Sequence, residues 1–116
     1  GYYMWQTDLS WETAKLRAEY IDTIRSFFKE KEVVEVETPL LSQGTVTDVH
    51  LEAFSCRYDF LINDKTDNEL YLQTSPEFAM KRLLASGYGC IYQISKAFRY
   101  EQAGRYHNPE FSILEW

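Results

Sequence analysis

Cysteine is scarce: the 116 residues hold two, Cys56 and Cys90, and no CxxC pair. The two histidines, His50 and His107, complete no zinc-ligand spacing with them, so we expect reduced thiols and no metal held through these residues. Apolar runs are short, and none approaches the roughly 20 residues that a membrane helix needs. No signal-peptide pattern, internal repeat or low-complexity segment is present. Positive charge is in deficit as well: 12 Lys and Arg stand against 18 Asp and Glu, for a net charge of −6. That balance argues against sequence-independent nucleic-acid binding, which neutralises phosphates with Lys and Arg. The expectation from these absences is a cytoplasmic chain with no membrane partner. Gly1-Tyr2-Tyr3 precede Met4, which is a candidate start.

Apolar and aromatic side chains are plentiful, at 45% and 16% of residues. Such a composition suits a packed domain. A chain of this length forms one domain at most and buries about two-thirds of its unfolded surface.

Residues 10–30 carry helical periodicity, with Leu16, Tyr20, Ile24, Phe27 and Phe28 at three- and four-residue steps and Ile21 widening the stripe. Ser10 is the expected N-cap, and Lys29 and Lys31 suit the negative end. Val33 to Val36 is strand-like, and Pro39 is expected to end regular pairing. Residues 42–48 (SQGTVTD) read as a loop, 56–62 as a strand and 63–68 (NDKTDN) as a connector. Leu70 to Leu72 reads as a short strand. A second helix should start at Thr74-Ser75-Pro76-Glu77, with Ser75 as N-cap and Pro76 at the first helical position. Met80, Leu83 and Leu84 form its expected buried side, and Gly87 its stop. Residues 90–101 and 110–116 read as two arms of a hairpin. This order predicts an α+β fold with a mainly antiparallel sheet flanked by helices.

Alternation along the hairpin separates its faces. Cys90, Tyr92, Ile94 and Phe98 share one side, interrupted by Lys96. Gln93, Ser95, Arg99 and Glu101 share the other. In the return arm Phe111, Ile113 and Glu115 share a side. An Arg, two Glu and an aromatic ring suit a zwitterionic ligand plus a base. The guanidinium forks onto a carboxylate or phosphate, the ring stacks on a purine, and a Glu pairs with an ammonium. Whether both arms show these groups to the same side depends on register, which the sequence does not state. Each residue also has a plainer account. Arg99 and Glu101 describe a surface pair worth ~0–1 kcal/mol. Phe111 describes core, His107 a loop residue, Ser75 a cap and Glu77 an ordinary first-turn acid.

Together, FRYE (98–101), HNPEF (107–111) and the Leu-Glu pair at 114–115 resemble motif 2 of class II aminoacyl-tRNA synthetases, in the form found in lysyl-tRNA synthetases. FFKEKEVVEVETPLL (27–41) resembles motif 1, the dimer-forming segment, and TSPEFAMKRLL (74–84) the segment between them. SQGTVTDVHL, LQTSPE and GRYHNPEF are similar to the lysyl-tRNA synthetase-like branch that acylates elongation factor P with (R)-β-lysine, or less well with lysine. The resemblance implies the N-terminal part of one class II catalytic domain across 1–116. Motif 1 would lie at about 21–41 and motif 2 at about 97–116, with motif 3 not present.

The same resemblance implies roles. Arg99 would bridge the ATP α-phosphate and the substrate carboxylate as the catalytic residue. Glu101, Arg105, His107, Asn108 and Phe111 would complete the ATP site, with Phe111 stacking on adenine. Ser75, Glu77 and Glu115 would join Arg99 in holding the amino acid. Glu77 would take the ammonium near the carboxylate and Glu115 the distal one. Ser75 stands where lysyl-tRNA synthetases usually carry a small apolar residue, a difference tied to accepting the β-amino acid. ATP and Mg2+ are the implied cofactors, the Mg2+ ligands lying beyond residue 116. Elongation factor P is the implied acceptor, tRNA is not expected, and a homodimer would form through motif 1. We expect a fragment with little or no activity of its own. Two other readings stay open: part of a true lysyl-tRNA synthetase, and a non-catalytic paralogue that dimerises or binds a ligand.

Overall fold

The computed structural model describes residues 9–43, 53–59, 69–99 and 109–116. Helix α1 spans Trp11–Glu30. Ser10 caps it as expected, its hydroxyl accepting from the Thr13 N–H at 3.1 Å. Glu12 in the first turn and Lys29 in the last complement the helix dipole. At the far end the Glu32 N–H donates to the Lys29 carbonyl and the Val33 N–H to the Phe28 carbonyl. This is a Schellman closure, and it puts Glu32 in the left-handed region at φ 61°.

The turn delivers the chain into β1 (Val34–Glu35), which pairs in parallel with β5 (Ile91–Phe98). β5 in turn pairs antiparallel with β6 (Glu110–Glu115), giving the sheet order β1-β5-β6. A second sheet, ordered β2-β4-β3, comprises β2 (Leu41–Ser42), β3 (Ser55–Arg57) and β4 (Glu69–Leu72), all antiparallel. Helix α2 (Glu77–Ala85) follows β4. Two helices and mainly antiparallel sheets are the expected α+β architecture.

Helix α1 covers one face of the first sheet. Phe28 is buried and stacks on Tyr92, with ring centroids 4.2 Å apart and planes within 17°, and Trp116 closes the same cluster at 6.3 Å. Arg25 forks onto Glu35 at 3.0 and 3.1 Å, and the Tyr92 hydroxyl donates to the same carboxylate at 3.3 Å. Farther along, Arg17 donates to the Ser112 hydroxyl at 3.2 Å. Helix, β1, β5 and β6 are thereby joined on one side.

Four local expectations are corrected. Pairing does not end at Pro39: it resumes at Leu41, and Ser42 belongs to β2 rather than to the loop, because β4 offers an edge opposite Leu41 and Ser42. Residues 44–48 and 60–68 lie outside the described residues. Helix α2 begins at Glu77, one residue later than expected, with buried Pro76 as the boundary residue. Pro76 takes the N-cap place expected of Ser75 and supplies no side-chain cap; Ser75, one residue earlier, accepts the Glu77 N–H at 3.2 Å in a local turn bond instead. On α2, Met80 is buried and Leu83 half-buried, but Leu84 is exposed. On α1, Phe28 is buried and Ile21 and Ile24 half-buried, whereas Leu16, Tyr20 and Phe27 are more than half exposed. Only one side of the helix meets the sheet. Gly87 does stop α2, at φ +99°, with the Tyr88 N–H on the Leu83 carbonyl and the Gly87 N–H on the Leu84 carbonyl.

Candidate functional site

The β5–β6 register settles what alternation alone leaves open. Gln93 stands opposite Glu115, Ser95 opposite Ile113 and Ala97 opposite Phe111. Directly opposed residues of an antiparallel pair project to one side. Gln93, Ser95, Ala97, Phe111, Ile113 and Glu115 therefore share a face. Arg99, two residues beyond Ala97, joins it, and its N–H closes on the Pro109 carbonyl at 3.0 Å. The opposite face carries Tyr92, Ile94, Lys96 and Leu114 and belongs to α1.

At the open end of this face the Arg99 guanidinium carbon lies 5.4 Å from the centre of the Phe111 ring. The distance is within cation–π range. Arg99 is exposed, while Phe111 and Glu115 are half-buried. Exposure leaves the guanidinium fork open to an anionic ligand. At the closed end Gln93 is wholly buried. Its Oε1 accepts the Thr38 N–H at 3.0 Å, and its Nε2 donates to the Thr38 hydroxyl at 2.9 Å. The strand side expected to meet water or line a site thus does neither at Gln93, where the chain after β1 covers it.

The start of α2 is tied to this strand through Gln73. Gln73 Nε2 donates to the Lys96 carbonyl at 2.7 Å and to the Ser95 hydroxyl at 3.2 Å. The Phe98 N–H donates to the Gln73 carbonyl at 2.9 Å. Ser75 and Glu77 follow two and four residues later. The Glu77 carboxylate pairs with Lys81 of its own helix at 3.1 Å rather than with a residue of the hairpin face. Of the nine site residues expected, the structure brings Arg99, Phe111 and Glu115 to one face and Ser75 and Glu77 to the neighbouring helix start. Glu101, Arg105, His107 and Asn108 lie outside the described residues. Sequence reasoning missed Thr38 and Gln73. Both act through partners far along the chain, and no local pattern marks them.

On the α1 side, burial pushes the Tyr92 phenol above its usual range, and the Glu35 carboxylate adds to the effect. Arg25 is held still more firmly protonated, chiefly by its hydrogen bond to Glu35. Among the described residues there is no group of three or more His, Cys, Asp or Glu that could hold a metal ion. No described helix is long and apolar enough to cross a membrane.

The tRNA synthetases class II (D, K and N) family matches residues 2–116, and the chain belongs to it. Among curated proteins it is similar to the elongation factor P–(R)-β-lysine ligase of Vibrio parahaemolyticus serotype O3:K6, at 55% identity over 113 residues. The match covers 97% of this chain and 34% of that ligase. The ligase of the same name from Photobacterium profundum is 54% identical, again over 97% of this chain and 34% of its own length. That of Buchnera aphidicola subsp. Acyrthosiphon pisum (strain Tuc7) is 52% identical, over 97% and 35%. The chain spans about a third of the length of the curated relatives it matches.

Proposed function

We propose that this chain is the motif 1 and motif 2 part of an ATP-dependent ligase. The ligase activates (R)-β-lysine, or lysine, and passes it to a lysine side chain of elongation factor P. Motif 1 occupies about residues 21–41 and motif 2 about 97–116. The observation that carries the reading is the register that puts Arg99, Phe111 and Glu115 on one face. Relatives more than half identical carry this ligase name.

The chemistry follows from the charges. A carboxylate oxygen of the amino acid attacks the α-phosphorus of ATP, an acyl–phosphate bond forms, and pyrophosphate leaves with the electron pair of the bond that breaks. Arg99 binds both the attacking carboxylate and the α-phosphate. It offsets charge that builds in the transition state, so no general base is required. Phe111 offers its ring to the adenine, with Glu101, Arg105, His107 and Asn108 along the rest of the nucleotide. Glu115 pairs with the distal ammonium of the substrate. Glu77 takes the nearer ammonium in exchange for Lys81, beside Ser75. In the second step the acceptor ε-amine attacks the acyl carbon, AMP leaves, and the amine gives up a proton to solvent.

Helix α1 and β1 form the proposed dimer contact, since Leu16, Tyr20, Phe27 and Val34 are all more than half exposed. ATP–pyrophosphate exchange tests the function directly. The full-length protein should exchange with (R)-β-lysine and with lysine, and Arg99→Ala should lower kcat by about 10²–10³-fold. Preference for lysine with transfer to tRNA would instead mark a lysyl-tRNA synthetase. Exchange with neither amino acid would overturn the reading.

A further inference from the structure

One residue outside the proposed ligand set joins its two halves. Gln73 makes four hydrogen bonds. Its N–H donates to the Leu40 carbonyl and its carbonyl accepts from the Phe98 N–H, both at 2.9 Å. Its side-chain nitrogen reaches the Lys96 carbonyl at 2.7 Å and the Ser95 hydroxyl at 3.2 Å. Both Nε2 hydrogens are thereby directed at β5, and the amide orientation is fixed, because an oxygen in that place would face a carbonyl. On one side of this joint the chain runs through Ser75 to Glu77. On the other, Phe98 leads directly to Arg99.

We infer that Gln73 is a positioning residue that sets the gap between the start of α2 and Arg99, and through it the choice between α- and β-amino acids. The assignment rests on the proposed function. An α-amino acid carries its ammonium and carboxylate on one carbon, whereas a β-amino acid has one more carbon between them. A site that holds the ammonium at Glu77 and the carboxylate at Arg99 reads that difference as a distance. Two elements joined only by backbone bonds can shift against each other by the small step that one carbon demands. The side-chain clasp on Ser95 and Lys96 resists the shift. Met at this position keeps the volume and the two main-chain bonds and removes only the clasp.

The test is the ratio of kcat/KM for (R)-β-lysine to that for lysine in ATP–pyrophosphate exchange by the full-length protein, with the KM for ATP measured alongside. Loosening the gap should erode discrimination. Gln73→Met should move the ratio toward one by about threefold or more, within the range that a single methylene controls. The KM for ATP should stay within about twofold, since Phe111 and Arg99 both belong to the hairpin. A smaller move, or an equal loss on both amino acids, overturns the assignment and makes Gln73 merely structural. Should Gln73→Met fail to fold, Ser95→Ala removes one of the two acceptors and is judged by the same threshold. A wild-type protein that activates neither amino acid overturns the proposed function and this assignment together. An active wild type with unmoved variants overturns the assignment alone.

Discussion

Single residues carry strain and pH dependence that can be measured separately. Both helices end in the same closure, yet one uses Gly87 in the left-handed position and the other Glu32. A side chain there costs about 1–2 kcal/mol, of which the lower unfolded-state entropy of a non-glycine residue returns about 0.4–1. Gly87→Ala should therefore destabilise by ~1 kcal/mol, and since a Cβ at Gly87 would meet nothing within 4 Å, that cost is purely conformational. Glu32→Gly should stabilise by ~0.5–1 kcal/mol for the converse reason, and urea midpoints would show both signs. Tyr92 supplies the pH dependence. Its phenol is raised in the folded chain, by burial first and Glu35 second. The unfolded chain thus loses this proton at lower pH than the folded one. The contribution is fully present below the unfolded value near pH 10 and is lost as pH rises through the folded value. Tyr92→Phe keeps the stack on Phe28 and should flatten the alkaline limb of the stability profile. A limb as steep as in the wild type would assign it to other tyrosines. Ser10 and Gly87 were legible because caps and stops act on neighbouring backbone. The contact of Tyr92 with the Glu35 carboxylate was not, because β1 and β5 meet only in the fold.

Among the elements, the hairpin shows how far a pattern reaches. Alternation assigned Arg99 to one side of β5 and grouped Phe111 with Glu115 on one side of β6. Only the pairing of Ala97 with Phe111 and Gln93 with Glu115 proves the sides to be the same. Register depends on how residues 99 and 109 close, which period-two alternation does not encode. The same gap explains Gln93. Its place on the polar side was readable, but its burial was not, because Thr38 arrives from a segment 55 residues earlier. The lock is testable. Gln93→Leu fits the volume but leaves the Thr38 N–H and hydroxyl without partners in a buried place, which should cost about 1–3 kcal/mol. Gln93→Leu combined with Thr38→Val removes only the hydroxyl mismatch, leaving the N–H unpaired, and should recover part of the loss. Equal stability of Gln93→Leu and wild type in chemical denaturation would show that water replaces the amide. The element boundaries missed at Ser42 and Pro76 have the same origin: a partner edge or a buried ring decided them, and neither is local.

At the scale of the whole molecule the question is what covers helix α1. Its apolar stripe was legible as one broad band, but the band has two uses. At 100° per residue, Leu16, Tyr20 and Phe27 fall within about 40° of one another, while Phe28 and Ile21 lie ~100° or more round the helix. The second group faces the sheet; the first is open, together with Val34 at the head of β1. Periodicity reports the summed width and cannot divide it between a chain's own core and a partner. Four large apolar side chains in open water favour association, and the proposed dimer would hide them. Stability should then depend on concentration, because a partner that binds only the folded state raises Tm by mass action. Wild-type Tm should rise with protein concentration, and sedimentation velocity should show a reversible dimer. Tyr20→Glu is the discriminating variant: the ring is 64% exposed, so the monomer fold loses little, while a carboxylate set against its symmetry mate would repel. The variant should sediment as a monomer with a Tm independent of concentration. A Tyr20→Glu protein that still dimerises would move the contact off this stripe and onto another exposed surface, such as that of Phe78 and Leu84 on α2.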